Sequence, residues 1–80
     1  MPSLLPLQDA VWRDRRVRFR YDRGVDGETA ERTADPLGLV AKGSVWYLVA
    51  RVDGDVRTYR VSRMLSVFVL DEGFERPIEF

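Results

Sequence analysis

The chain has 80 residues, a formal net charge of zero from 13 basic and 13 acidic side chains, 45% hydrophobic residues, no cysteine and no histidine. A chain of that length makes one small domain that buries only roughly 60% of the surface its unfolded form exposes, so its core must be well patterned. Without cysteine there is no disulfide or thiolate metal site, and without histidine most catalytic dyads and zinc sites are excluded as well.

Residues 4 to about 13 carry a short helical pattern. Ser3 is positioned to cap its N-terminus, and Pro6 suits the first turn, where its missing N–H is not needed. Leu7, Val11 and Trp12 are expected on the face that packs. From Val17 the period changes to two: Val17, Phe19 and Tyr21 point one way, and Arg16, Arg18 and Arg20 the other. Asp22 to Gly27 reads as a turn with two glycines. A second strand runs from about Glu28 to Thr33, is interrupted at Asp35-Pro36, and resumes over Leu37-Gly38-Leu39-Val40. A proline and a glycine within one strand predict a bulge or bend.

Lys42-Gly43 leads into a third strand, Val45–Val52, whose run of apolar and aromatic residues predicts burial on both faces. Asp53-Gly54 is a strong two-residue hairpin signal, followed by a fourth strand, Asp55 to Val61. Ser62-Arg63-Met64 reads as a connector with one 3₁₀ turn. Leu65 to Leu70 is a fifth strand, and residues 72–80 form a tail. One helix and five short strands, one of them bent, predict an all-β domain: a five-stranded SH3-like or Sm-like barrel over about residues 16–71. Closure removes the exposed edges of an open sheet. An OB-fold fits less well, because its helix usually lies between strands 3 and 4, and here only Asp53-Gly54 fills that gap.

The basic residues are almost all arginine, Lys42 being the one lysine. Arginine grips carboxylates and phosphates with a planar fork, whereas lysine acts as a point charge. A GC-rich genome explains the same bias without any function. On the fourth strand Val56, Thr58 and Arg60 share one face, and Arg57, Tyr59 and Val61 the other. Tyr59 and Val61 are the natural core face, so Arg60 points away from the interior. Arg63 follows after the chain has begun to turn, so the two guanidinium groups could converge on one anion; from the residues alone, pairing with surface carboxylates is an equal reading. Tyr21 and Tyr47 would add stacking surface, the chemistry that holds single-stranded nucleic acid, although Tyr47, within a buried strand, reads on its own as a core tyrosine, and Tyr21 at the barrel rim fits either role. A surface ion pair is the plainer reading of Arg32, which lies among Glu28, Glu31 and Asp35. The stripe Arg16, Arg18, Arg20 is better explained as an outward polar face paired with acids of the second strand than as a phosphate track.

An ordered set of residues resembles the WYL domain of bacterial transcriptional regulators. It begins at Ala10 and continues through Val17-Arg18-Phe19-Arg20-Tyr21, Arg32, Pro36-Leu37-Gly38-Leu39-Val40 and Trp46-Tyr47-Leu48-Val49-Ala50. It ends with Tyr59-Arg60-Val61-Ser62-Arg63-Met64 and Phe74. Two positions depart from the family pattern. Ser62 stands where an acidic residue is common, and Met64 where isoleucine is common. The resemblance implies an Sm-like barrel with a basic pocket for single-stranded nucleic acid or a nucleotide-like effector, formed by Arg60, Arg63, Tyr47, Tyr21 and Arg32. It also implies a helix-turn-helix DNA-binding domain in full-length members, so this chain is expected to be an excised domain or a stand-alone copy. The alternative is a dimerisation or protein-docking barrel with no such ligand. An enzyme is not expected: there is no Gly-rich phosphate loop and no carboxylate pair with an evident partner. No cofactor or metal is expected. No stretch reaches membrane-span length and the N-terminus has no signal-peptide layout, so a cytoplasmic location is expected.

Overall fold

The computed structural model describes residues 3–24 and 27–75. In chain order it contains α1 (Leu4–Arg13), β1 (Arg15–Asp22), β2 (Thr29–Lys42), β3 (Val45–Val52), β4 (Asp55–Arg60), a 3₁₀ turn (Val61–Arg63) and β5 (Met64–Gly73). The strands form an antiparallel sheet in the order β4-β3-β2-β1-β5. The expected all-β architecture with a leading helix is present. Closure is not: β4 and β5 are the two ends of the order, and no ladder joins them among the described residues.

β2 gives the sheet its shape. Its first half pairs with β1, from Thr29 opposite Asp22 to Ala34 opposite Val17. Its second half pairs with β3, from Asp35 opposite Arg51 to Lys42 opposite Val45. The register slips between Pro36 and Gly38. Proline cannot donate to a ladder, so the strand takes in an extra residue there and bends. Both halves thereby turn one face onto a common core of Leu7, Ala10, Val17, Phe19, Ala34, Leu48, Ala50, Val52, Tyr59, Val61 and Met64. The β3–β4 turn is Asp53-Gly54 with φ of 52° and 84°, the two positive values that a twisted two-residue hairpin needs.

Four local expectations change. Trp12 is 89% exposed, and the packed helical positions are Leu7 and Ala10, with Val11 partly covered. Trp12 lies five residues beyond Leu7, about 140° further round the helix and off the buried stripe. Ser3 does precede the helix, but its hydroxyl donates to the Met64 carbonyl at 3.5 Å and caps no helical N–H. β3 is buried on one face only: Leu48, Ala50 and Val52 are inside, while Tyr47, Val49 and Arg51 are half-exposed. β4 ends at Arg60, with Val61 in the 3₁₀ turn, and β5 is longer than expected at both ends. Of the tail, Phe74 is tied back by its N–H to the Asp14 carbonyl at 3.1 Å. The expected tail beyond Glu75 lies outside the described residues, as do Val25 and Asp26 of the β1–β2 turn.

Candidate functional site

The unclosed side of the sheet contains a hollow of about 300 Å³, lined by Tyr21, Arg23, Ala30, Arg32, Arg57, Thr58 and Tyr59. Strand alternation explains its charge. On β2, Arg32 is opposite the buried Phe19 and shares the inward face with Ala30 and Ala34. On β4, Arg57 is opposite the buried Ala50 and shares the inward face with Tyr59. Both positions ordinarily call for an apolar side chain. They lie where the interior opens to solvent, so the two arginines reach the mouth of the half-closed barrel instead of the core.

The guanidinium groups there are weakly neutralised. Arg32 donates to the Glu31 carbonyl at 3.1 Å and has no carboxylate partner among the described residues. Arg57 and Arg23 meet Asp55 and Glu28 only at 3.9 and 3.8 Å, in exposed pairs that contribute little. The surface pairing expected of Arg32 is thus not formed. Asp35, one of its expected partners, is claimed by Arg16 and Arg51.

Aromatic rings form the back of the hollow. Tyr59 packs edge-on against Phe19 at 5.0 Å and against Tyr21 at 5.2 Å between centroids. Its hydroxyl is buried and has no hydrogen-bond partner among the described residues. The Tyr21 hydroxyl accepts the Arg60 N–H at 3.1 Å, so a β1 side chain bridges to the free edge of β4. That bond leaves the Tyr21 phenol hydrogen free to donate. Arg60 therefore turns its N–H away from β3, and by two-residue alternation Thr58 does the same. The edge beside the hollow thus presents the Thr58 N–H with no strand across from it among the described residues.

Replacing Tyr21 by phenylalanine removes this bridge. Water can reach the freed edge amide, so the expected loss is modest, about 0.5–1.5 kcal/mol in urea unfolding. Hydrogen exchange at the Arg60 amide is expected to accelerate. An unchanged exchange rate would mean that the bond protects nothing.

The residues expected from sequence are distributed around this hollow. Tyr21 and Arg32 line it. The Arg63 guanidinium reaches the β1–β2 turn, with one nitrogen 3.7 Å from where a Cβ on Gly24 would lie, next to Arg23 in the chain. Arg60 and Tyr47 are cross-strand partners and share the outer face of β3 and β4. Tyr47 lines a separate, apolar hollow there with Val40, Lys42, Val49 and Thr58. Neither Arg60 nor Arg63 forms an ion pair with a described residue. Sequence reasoning did not single out Arg57 and Tyr59, which line this hollow, and weighed Arg23 only as part of the basic segment from Arg13 to Arg23. The available signal was Arg57 itself, an arginine on the core face of its strand.

In the tripeptide Trp46-Tyr47-Leu48, the middle residue alone faces outward. Leu48 is fully buried and Trp46 packs against the core. No helix among the described residues is long and apolar enough to cross a membrane.

A family model described as the WYL domain matches residues 2–69. Among solved structures the chain is similar to proteasome accessory factor B/C (PafBC) of Arthrobacter aurescens. The two are 28% identical with a TM-score of 0.83, over 90% of this chain and 12% of that one. The chain thus spans a small part of PafBC. No curated protein matches it.

Proposed function

This chain belongs to the WYL domain family, and from that premise we propose that it is a regulatory module of a bacterial transcriptional regulator, binding single-stranded nucleic acid or a nucleotide-like anion. The observation that carries this reading is the hollow where Arg23, Arg32 and Arg57 meet Tyr21 and Tyr59. Guanidinium forks supply paired N–H donors for phosphate oxygens. The phenol rings supply stacking surface that accepts any base. Arg63 flanks the hollow beside Gly24, and Arg60 and Tyr47 extend the contact surface around the β4 edge. A helix-turn-helix domain in the full-length regulator would be the output that this module controls.

Fluorescence anisotropy with labelled single strands, duplexes and nucleotides at two salt concentrations tests the proposal. Single strands are expected to bind, and the binding constant to fall with added salt by a log–log slope of about 0.7 per phosphate neutralised. The double variant Arg60→Ala, Arg63→Ala is expected to bind severalfold more weakly with its circular dichroism unchanged. A chain that binds none of these probes, and elutes as a salt-insensitive dimer, would instead favour the docking-barrel reading.

A further inference from the structure

We infer that the hollow reads a terminal phosphomonoester, at the end of a strand or on a free nucleotide, in preference to an internal phosphodiester. The inference rests on the nucleotide-binding reading above and specifies which phosphate the site takes.

Size is the first argument. At about 300 Å³ the hollow is at the lower limit of small-molecule sites, which run from roughly 300 to 1,000 Å³. It is sized for one small group, and the adjoining hollow that shares Arg32 and Arg57 is lined also by Glu31 and Asp53, whose carboxylates repel a continuing phosphate backbone.

Charge is the second. Three guanidinium groups line the hollow, and the two carboxylates that approach them do so at 3.8 and 3.9 Å from exposed positions. An internal diester brings one negative charge to such a site. A phosphomonoester brings about 1.5 to 2 at neutral pH, with three terminal acceptor oxygens. Each additional acceptor can take up another guanidinium fork.

Unspent donors are the third. Tyr59 is only 8% exposed, lies on the wall of the hollow, and has a buried hydroxyl with no partner among the described residues. The Thr58 N–H faces the open side of the sheet by the alternation set at Arg60. A backbone amide beside three guanidinium groups suits a tetrahedral oxyanion with acceptors on several sides.

The test uses the whole chain and one short oligonucleotide in three forms: 5′-phosphorylated, 3′-phosphorylated, and with hydroxyls at both ends. A nucleoside monophosphate and its parent nucleoside are added as competitors. At pH 7.5 at least one phosphorylated form is expected to bind tenfold or more tighter than the hydroxyl form, and the two ends report which terminus is read. The monophosphate is expected to compete and the nucleoside to fail. The second phosphate ionisation is near pH 6. Lowering the pH to 5.5 therefore removes charge from the monoester and is expected to erode most of the advantage, while arginine stays charged throughout. Arg57→Ala is expected to abolish the advantage and retain weak binding of the hydroxyl form. Equal affinity for all three oligonucleotides overturns the inference and leaves nucleic-acid binding intact. Failure of every probe to bind overturns both.

Discussion

Replacing Asp35 by asparagine is expected to cost about 3 kcal/mol of stability, the low end of the range for breaking a buried ion pair. Asp35 is 9% exposed and lies at the residue where β2 passes from β1 to β3. One carboxylate oxygen accepts from Arg16 Nε at 2.7 Å, and the other from Arg51 Nε and a terminal nitrogen at 3.0 and 2.8 Å. A single side chain thus ties three strands together at the bend. Arg16 also bonds Glu72 of β5 at 3.1 Å. Its hydrogen bond to Asp35, followed by that to Glu72, holds it above the ordinary guanidinium value, so it stays charged throughout the accessible pH range. Asparagine keeps the shape but removes the charge and turns one acceptor into a donor facing donors. The low end of the range applies because both arginines keep partial access to water, with side chains 39% and 30% exposed. For a domain of this size the midpoint of thermal unfolding is expected to fall by on the order of 15 °C. Chemical and thermal denaturation followed by circular dichroism measure it. A loss under about 1 kcal/mol would mean that water screens the triad and that the bend is held by packing alone.

The double variant Arg32→Ala, Arg57→Ala is expected to weaken binding of a single-stranded oligonucleotide by about 10²- to 10⁴-fold. Hydrogen bonds to charged groups contribute roughly 1.5–3 kcal/mol each, and each 1.4 kcal/mol is tenfold in affinity. The fold is expected to survive. Arg32 makes one bond to a neighbouring carbonyl, and Arg57 one long exposed pair. Arg57→Lys is expected to lie between the parent and the alanine variant, because lysine keeps the charge and loses the fork. The salt dependence of the double variant should also be shallower, by about 0.7 in log–log slope for each phosphate that is no longer neutralised. Parental affinity in a folded double variant would move the site away from this hollow, toward Arg60 and Arg63.

Local grammar explains which parts of this arrangement could be read in advance. Alternation and turn chemistry place Val45–Val52 and the Asp53-Gly54 hairpin where they are found. Asp35-Pro36 and Gly38 announce the irregularity of β2. The family motifs follow the same grammar, since Trp46 and Leu48 point inward and Tyr47 outward. The candidate site was harder to read because it is made of distant segments. Arg32 and Arg57 share a hollow only because β2 bends and carries its two halves, with their partner strands, toward each other. Periodicity assigns each of them a face but not a position along the barrel, so a mouth residue and a core residue look alike. The same blindness made Arg60 and Arg63 the natural pair: they are close in sequence, but Arg60 shares the outer face with Tyr47 while Arg63 reaches Gly24. Asp35 was legible as a turn signal and not as an anchor, because both of its partners come from other strands.

The slip between Pro36 and Gly38 also makes the numbering of β2 change parity. Before it, even positions point inward: Arg32 opposite Phe19, Ala34 opposite Val17, Pro36 opposite Ala50. After it the odd position Leu39 points inward, opposite Leu48, and Val40 points out. Arg32 and Leu39 are seven residues apart (39 − 32), an odd interval that a regular strand would place on opposite faces. Deleting one residue from this stretch would thus force a choice between expelling the cation and expelling the leucine. Length here is as constrained as residue identity, and a relative that keeps both side chains inside is expected to keep the odd spacing.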